Sequence, residues 1–115
     1  MNSDLSTRHC ESCEGIGAPL TAPQVQQLMP QLGTGWSISN DHSAITKSFS
    51  FKNFYETMAF VNALAWIANI ENHHPDLEIG YNYCHIRFTT HALAGLSHND
   101  FICAAKTDQL LSDSR

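Results

Sequence analysis

Residues 69–91 read NIENHHPDLEIGYNYCHIRFTTH, and the way this stretch divides decides the fold. A residue before proline is pushed out of the helical region of backbone space. His74, ahead of Pro75, therefore cannot continue a helix. The helix running into this stretch ends near Asn72, and His73–His74–Pro75 turns the chain into a strand. "LEIGYNYCHIRFTT" then reads as two short strands with a turn near Asn82: Cys84, Ile86 and Phe88 alternate with His85, Arg87 and Thr89. With Asn82 and Tyr83 at the tip, residue 81 faces 84, every facing pair of numbers sums to 165, and His74 falls opposite His91. Facing residues of an antiparallel pair have Cα atoms only ~4.5–5.5 Å apart. The reading thus gathers His73, His74 and His91 at the mouth of one hairpin, beside a helix C-terminus.

Upstream, residues 53 to 71 form the clearest helix, with Asn53 as its cap. Phe54, Met58, Val61, Ala65 and Ala68 fall on one face at steps of three and four, and Phe60, Leu64 and Ile67 widen the stripe. A stripe that broad implies burial against a sheet and against a neighbour such as a second subunit. Before it, "AITKSFSF" at 44–51 alternates as a half-buried strand. "NDH" at 40–42 makes a hairpin turn from a strand opened by Trp36. "TAPQVQQLMPQL" starts a helix capped by Thr21 with Gln24, and Pro30 kinks or ends it. Downstream, Ser97 and Asp100 form a capping box for a last helix. The order is α-β-β-α-β-β-α. This predicts an α+β fold: a four-stranded antiparallel sheet with three helices on one face.

The chain has 115 residues, 43% of them hydrophobic, enough for one domain with one core. Residues 1–20 are polar and are expected to be a flexible arm, leaving 21–115 as the single domain. The formal charge is −5 with no basic run, which argues against nucleic acid and anionic membrane as partners. No apolar run suits a spanning helix, and the N-terminus has no apolar secretory segment, so a cytoplasmic protein with reduced thiols is expected. Cys84 and Cys103 sit in patterned segments as small core residues. Cys10 and Cys13, in "HCESC", lack the second CxxC of a zinc site and are expected to lie on a solvated arm. His9, His42, His85 and His98 are expected to be solvated.

Three imidazoles at one mouth suit two chemistries. Histidine titrates near neutral pH and can give or take a proton. Three histidines can also hold zinc with an open position. The spacing here lacks the H-x-x-x-H that sets two ligands on one helix face, which favours proton transfer with no metal. Asp100, at the start of the last helix, is placed to close the same cleft.

The spaced pattern "HHP" at 73–75, Tyr81, His91 and Asp100 resembles the signature of the pterin-4a-carbinolamine dehydratases. "GW" at 35–36, "FSFKNF" at 49–54 and "AGL" at 94–96 are similar to that family's blocks in the same order, and the resemblance covers roughly 21–110. "HCESC" is similar to the arms of some bacterial members. The resemblance implies a hydro-lyase, a 4a-hydroxytetrahydrobiopterin dehydratase. Such an enzyme removes water from 4a-hydroxytetrahydropterin to give quinonoid dihydropterin. It thereby recycles the cofactor of aromatic amino-acid hydroxylases, and links this chain to a pterin-dependent phenylalanine hydroxylase and phenylalanine catabolism. No cofactor and no metal is implied. By position, His73, His74 and His91 are the catalytic histidines: His73 and His74 as candidate acids for the C4a hydroxyl, His91 to orient the pterin or move the N5 proton. Asn72, His73, His74, Thr89, Thr90, His91 and Ala92 match the substrate-binding stretches, with Asp100, Asn69 and Trp36 in support. Asn69 departs from the signature, which has a charged side chain there; slower turnover or altered pH dependence is expected. Glu71 is near, but a helix points it elsewhere. The resemblance also implies a homodimer or homotetramer built by packing helices. The alternative implied by relatives on the same fold is a non-catalytic dimerisation cofactor or assembly factor.

Overall fold

The computed structural model of the chain describes residues 4–11 and 17–112. Its elements are α1 (Asp4–Thr7), α2 (Ala22–Leu28), β1 (Ser37–Ile38), β2 (Ile45–Ser50), α3 (Phe54–Glu71), β3 (Asp76–Ile79), β4 (Tyr83–Phe88) and α4 (His98–Ser112). Short 3-10 turns, Met29–Gln31 and His91–Leu93, follow α2 and β4. The strands form one antiparallel sheet in the order β1-β2-β4-β3. The expected α+β order is present, preceded by the single turn of α1.

Local chemistry sets the helix limits. Thr21 and Gln24 form the expected capping box at α2, and the Pro30 segment tightens into the 3-10 turn. The Asn53 side chain accepts from the Glu56 amide at 2.9 Å and starts α3. At the other end Asn72 adopts a left-handed conformation with φ 53°. Asparagine tolerates that region better than most residues. The His73 amide then donates back to the Ala68 carbonyl at 3.2 Å. The helix therefore stops at Asn72, as expected, through its left-handed backbone turn, and Pro75 prevents its continuation.

β4 lies between β2 and β3 and carries the sheet's share of the core. Cys84, Ile86 and Phe88 are essentially inaccessible, while His85 and Arg87 face water. Across the core, α4 contributes Phe101, Ile102, Cys103 and Ala104, and α3 contributes Phe60, Val61 and Leu64. Each fully buried large apolar side chain of this kind stabilises the fold by roughly 1.5–3 kcal/mol.

Three readings of the sequence are corrected. The buried stripe of α3 is Thr57, Phe60, Val61, Leu64, Ala68 and Glu71; Ala65 is exposed and Phe54 is 49% exposed. The face is rotated because a threonine and a glutamate find buried partners that an apolar count misses: Thr57 Oγ1 donates to the Asn53 carbonyl at 2.9 Å or the Tyr81 carbonyl at 3.0 Å. The second hairpin is in a different register. Asp76 faces Arg87 and Ile79 faces Cys84, so facing numbers sum to 163 and the tip is Tyr81–Asn82. Gly80 sets this turn: its amide donates to the Tyr83 carbonyl at 3.0 Å, and a Cβ there would run into the Tyr83 ring. The paired strands end at Asp76 and Arg87, so His74 does not face His91.

The third difference concerns the N-terminal stretch. Asp4–Thr7 is helical, and Leu5 is 1% exposed within the main core. Cys10 packs against the same core, whereas Cys13 lies outside the described residues. Leucine and cysteine in an otherwise polar stretch were the anchors that composition averaged away. No helix among the described residues is long and apolar enough to cross a membrane.

Candidate active site

Two chain segments leave the sheet at the same end and converge on one carboxylate. His73 follows the Asn72 turn, and its ring is 8% exposed, lying nearly parallel to Phe88 with centroids 6.2 Å apart. Its Nε2 is 2.6 Å from Asp100 Oδ1. Asp100, on the first turn of α4, is fully buried. Its Oδ2 accepts from Thr90 Oγ1 at 2.7 Å and from the Ser97 amide at 3.0 Å. Thr90 Oγ1 is also 2.8 Å from Ser97 Oγ, which accepts from the Asn99 amide at 3.2 Å. One assignment of hydrogens satisfies all of these groups. The Ser97 hydroxyl donates to Thr90, the Thr90 hydroxyl donates to Asp100, and His73 donates through Nε2. Three donors on one buried carboxylate offset the cost of its desolvation.

With Nε2–H committed to Asp100, the second ring nitrogen of His73 is the one left to meet a ligand. Fixing one nitrogen in this way sets both the tautomer and the ring orientation. His74 and His91 stand one residue beyond His73 and Thr90, and both are exposed. Neither imidazole is hydrogen-bonded to the described residues, although the His91 carbonyl accepts from the Ala94 amide at 3.1 Å. The structure therefore places His73 in a buried dyad with Asp100 and His74 and His91 at the surface, rather than three equivalent imidazoles. Among the described residues no three His, Cys, Asp or Glu side chains are grouped to hold a metal ion.

The loop that carries His91 is held from several sides. Thr89 Oγ1 donates to the Ser43 carbonyl at 2.6 Å, and the Thr90 amide donates to the Gly95 carbonyl at 2.8 Å. Ala94 turns it with φ 52°. Ala92 is exposed on the 3-10 turn. Asp100 serves in half of the expected capping box: its carboxylate takes the Ser97 amide, but the Ser97 hydroxyl bonds Thr90 and Asn99 instead of the Asp100 amide. Trp36 lies further off, buried on Phe88 at 6.1 Å with Nε1 donating to Asp108 at 3.1 Å. Asn69 is exposed.

Glu71 has a role the sequence reading did not give it. Its side chain is 4% exposed, and it takes the Cys10 amide at 2.7 Å and His9 Nδ1 at 2.8 Å. Burial pushes its carboxyl up, but the Cys10 amide, His9 and Lys106 together outweigh that and hold it below its ordinary value of 4.5. The signal missed was an acid on the buried side of α3, two residues before His73. His98, exposed at the start of α4, is held below its ordinary 6.5 by partial burial and by Arg8, against Glu11.

The profile of the pterin 4 alpha carbinolamine dehydratase family matches residues 18–110. The chain belongs to this family. A relative from Legionella pneumophila (strain Lens), named as a candidate pterin-4-alpha-carbinolamine dehydratase, is 71% identical over 98% of this chain and all of its own length. One of the same name from Nitrosomonas eutropha (strain DSM 101675 / C91 / Nm57) is 53% identical over 94% of each chain. Among solved structures, a transcriptional coactivator/pterin dehydratase from Brucella melitensis superposes with a TM-score of 0.76 at 29% identity, covering 80% of this chain and 97% of that one. A pterin dehydratase-like protein described as a RuBisCO assembly factor in the alpha-carboxysome superposes with a TM-score of 0.59 at 25% identity, covering 68% and 90%. Within the fold of this family, His73 and Asp100 form the buried imidazole–carboxylate pair of this chain's candidate site.

Proposed function

We propose that this chain is a hydro-lyase that converts 4a-hydroxytetrahydropterin to quinonoid dihydropterin and water, with His73, His74 and His91 as its proton-transfer groups. In the elimination the C4a–O bond breaks as the hydroxyl is protonated, and loss of the N5 proton forms the C4a=N5 double bond. The proton given and the proton taken balance, so imidazoles that exchange protons with solvent can turn over without a co-reactant. The buried His73–Asp100 contact of 2.6 Å carries this reading. Asp100 orients His73 and stabilises its imidazolium. His74 is the second candidate acid for the hydroxyl, and His91 orients the pterin or moves the N5 proton. Backbone groups of Asn72–His74 and Thr89–Ala92 bind the pterin's amide edge. A pterin-dependent phenylalanine hydroxylase generates the substrate in the cytoplasm.

The test is a coupled assay in which a phenylalanine hydroxylase supplies the carbinolamine and its absorbance decay is followed. Wild-type protein accelerates the decay; His73→Ala and His91→Ala each reduce the enzymatic component by about 10²-fold or more. Decay at the uncatalysed rate with wild-type protein sinks the enzyme reading and leaves the assembly-factor one. The family's helix-packed oligomers have a matching surface here. Tyr55, Trp66 and Ile70, at 82%, 68% and 59% exposure, share one outward face of α3 with Ala59 and Asn62. That stripe is the proposed contact between copies of this chain.

A further inference from the structure

The N-terminal stretch bridges two helix ends, and its sulfur is not explained by the dehydratase chemistry. His9 and the Cys10 amide hold Glu71 at the end of α3. On α4, the Glu11 amide donates to Asn99 Oδ1 at 3.0 Å, and Asn99 Nδ2 returns a bond to the Glu11 carbonyl at 2.8 Å. Residues 9–11 thus act as a strap between Glu71 and Asn99, two residues from His73 and one from Asp100. In the middle of it, Cys10 Sγ lies 3.5 Å from Cys103 Sγ and 3.7 Å from the Asn99 carbonyl.

We propose that Cys10 and Cys103 are a redox-modification site, at which a peroxide oxidises Cys10 and Cys103 closes a disulfide onto it. The two sulfurs are already in contact, and a shift of about 1.5 Å brings them to bonding distance. Their surroundings divide the roles. Cys103 is 1% exposed, and its hydrogen bond with Cys10 together with burial pushes its thiol up. Cys10 is half-buried and is the sulfur a small oxidant meets first. The Cys10 thiolate attacks one peroxide oxygen, the O–O bond breaks, and hydroxide leaves with the proton Cys10 gave up. The Cys103 sulfur then displaces hydroxide from the Cys10 sulfenic acid, its own proton completing a second water. Two thiols and one hydrogen peroxide give one disulfide and two waters.

The bond would clasp the strap covalently across the ends of α3 and α4. Its effect on turnover rests on the dehydratase reading; the disulfide itself does not. The competitor is Cys13, the other sulfur of "HCESC". The experiment treats the reduced full chain with hydrogen peroxide, alkylates it after denaturation, and maps linked peptides by mass spectrometry. The expected product is an intramolecular Cys10–Cys103 peptide, reversed by dithiothreitol and still formed in Cys13→Ser. Cys103→Ala should instead leave a Cys10 sulfenic acid that dimedone traps, and the oxidised wild type should melt several degrees higher than the reduced form. A Cys10–Cys13 link, an intermolecular link, or Cys10 and Cys103 both still alkylated would overturn the proposal. A chain inactive toward the carbinolamine but yielding the linked peptide would sink only the enzyme reading.

Discussion

His73 is held on one side only. Its Nε2 is committed to Asp100, its ring lies on Phe88, and 8% of it reaches solvent. That arrangement depends on a threonine hydroxyl. Thr90 is 1% exposed, and its Oγ1 serves both Asp100 and Ser97. Thr90→Val keeps the shape and removes the donor, leaving a buried carboxylate oxygen short of one bond. The expected cost is about 1–3 kcal/mol of stability, with a fall in dehydration rate that Thr90→Ser restores. Chemical denaturation and the coupled assay read the two effects separately. Glu71→Gln tests the other buried acid. Its folded carboxyl sits below the ordinary 4.5, so its ionised form is favoured by folding. The contribution is therefore complete above about pH 4.5 and lost as pH falls through the lower folded value. The variant should be destabilised by about 1–3 kcal/mol at pH 7 and converge on wild type in acid, as followed by denaturation across pH.

At the scale of the elements, the end of α3 decides where the histidines go. The left-handed Asn72 ends the helix and releases His73 toward α4. Asn72→Val forces a β-branched residue into that conformation and is expected to cost about 1–3 kcal/mol, with Asn72→Gly near wild type in thermal melts. The sequence reading placed this boundary correctly because the pre-proline rule is local. It placed the next hairpin tip one residue off, which shifts every facing pair by two. Asn82–Tyr83 and Tyr81–Asn82 are both plausible tips by composition, and the choice rests on how Gly80 and Tyr83 pack across the turn. The consequence was direct: the register that set His74 against His91 gave way to one that sends 73 and 90 toward the same carboxylate.

For the molecule as a whole, α3 has two faces with different fates. One is buried under the sheet and α4; the other shows Tyr55, Trp66 and Ile70 to water. Exposed aromatic and aliphatic residues in one stripe on a chain of net charge −5 are expected to associate with their own kind. Trp66→Glu combined with Ile70→Glu should convert the proposed oligomer to a folded monomer, read by light scattering with circular dichroism as the control on folding. The wild type sedimenting as a monomer would remove the basis for this contact.

Period, caps and turn residues were enough to read from sequence the α+β order, the four-stranded sheet, the helix stop before Pro75 and the burial of Cys84 and Cys103. These features are governed by interactions within a few residues, and local chemistry carries them. The Asp100 network, the inward turn of Glu71 and the docking of residues 4–11 were decided only by the tertiary structure. Each of these joins groups at least 10 residues apart: Thr90 with Asp100, His73 with Asp100, Cys10 with Glu71. A buried polar group is stable wherever its partners happen to meet it, and no local periodicity records where that is. "HHP" therefore announced its imidazoles in the sequence, but which of them is buried against a carboxylate was settled by how α3, β4 and α4 pack.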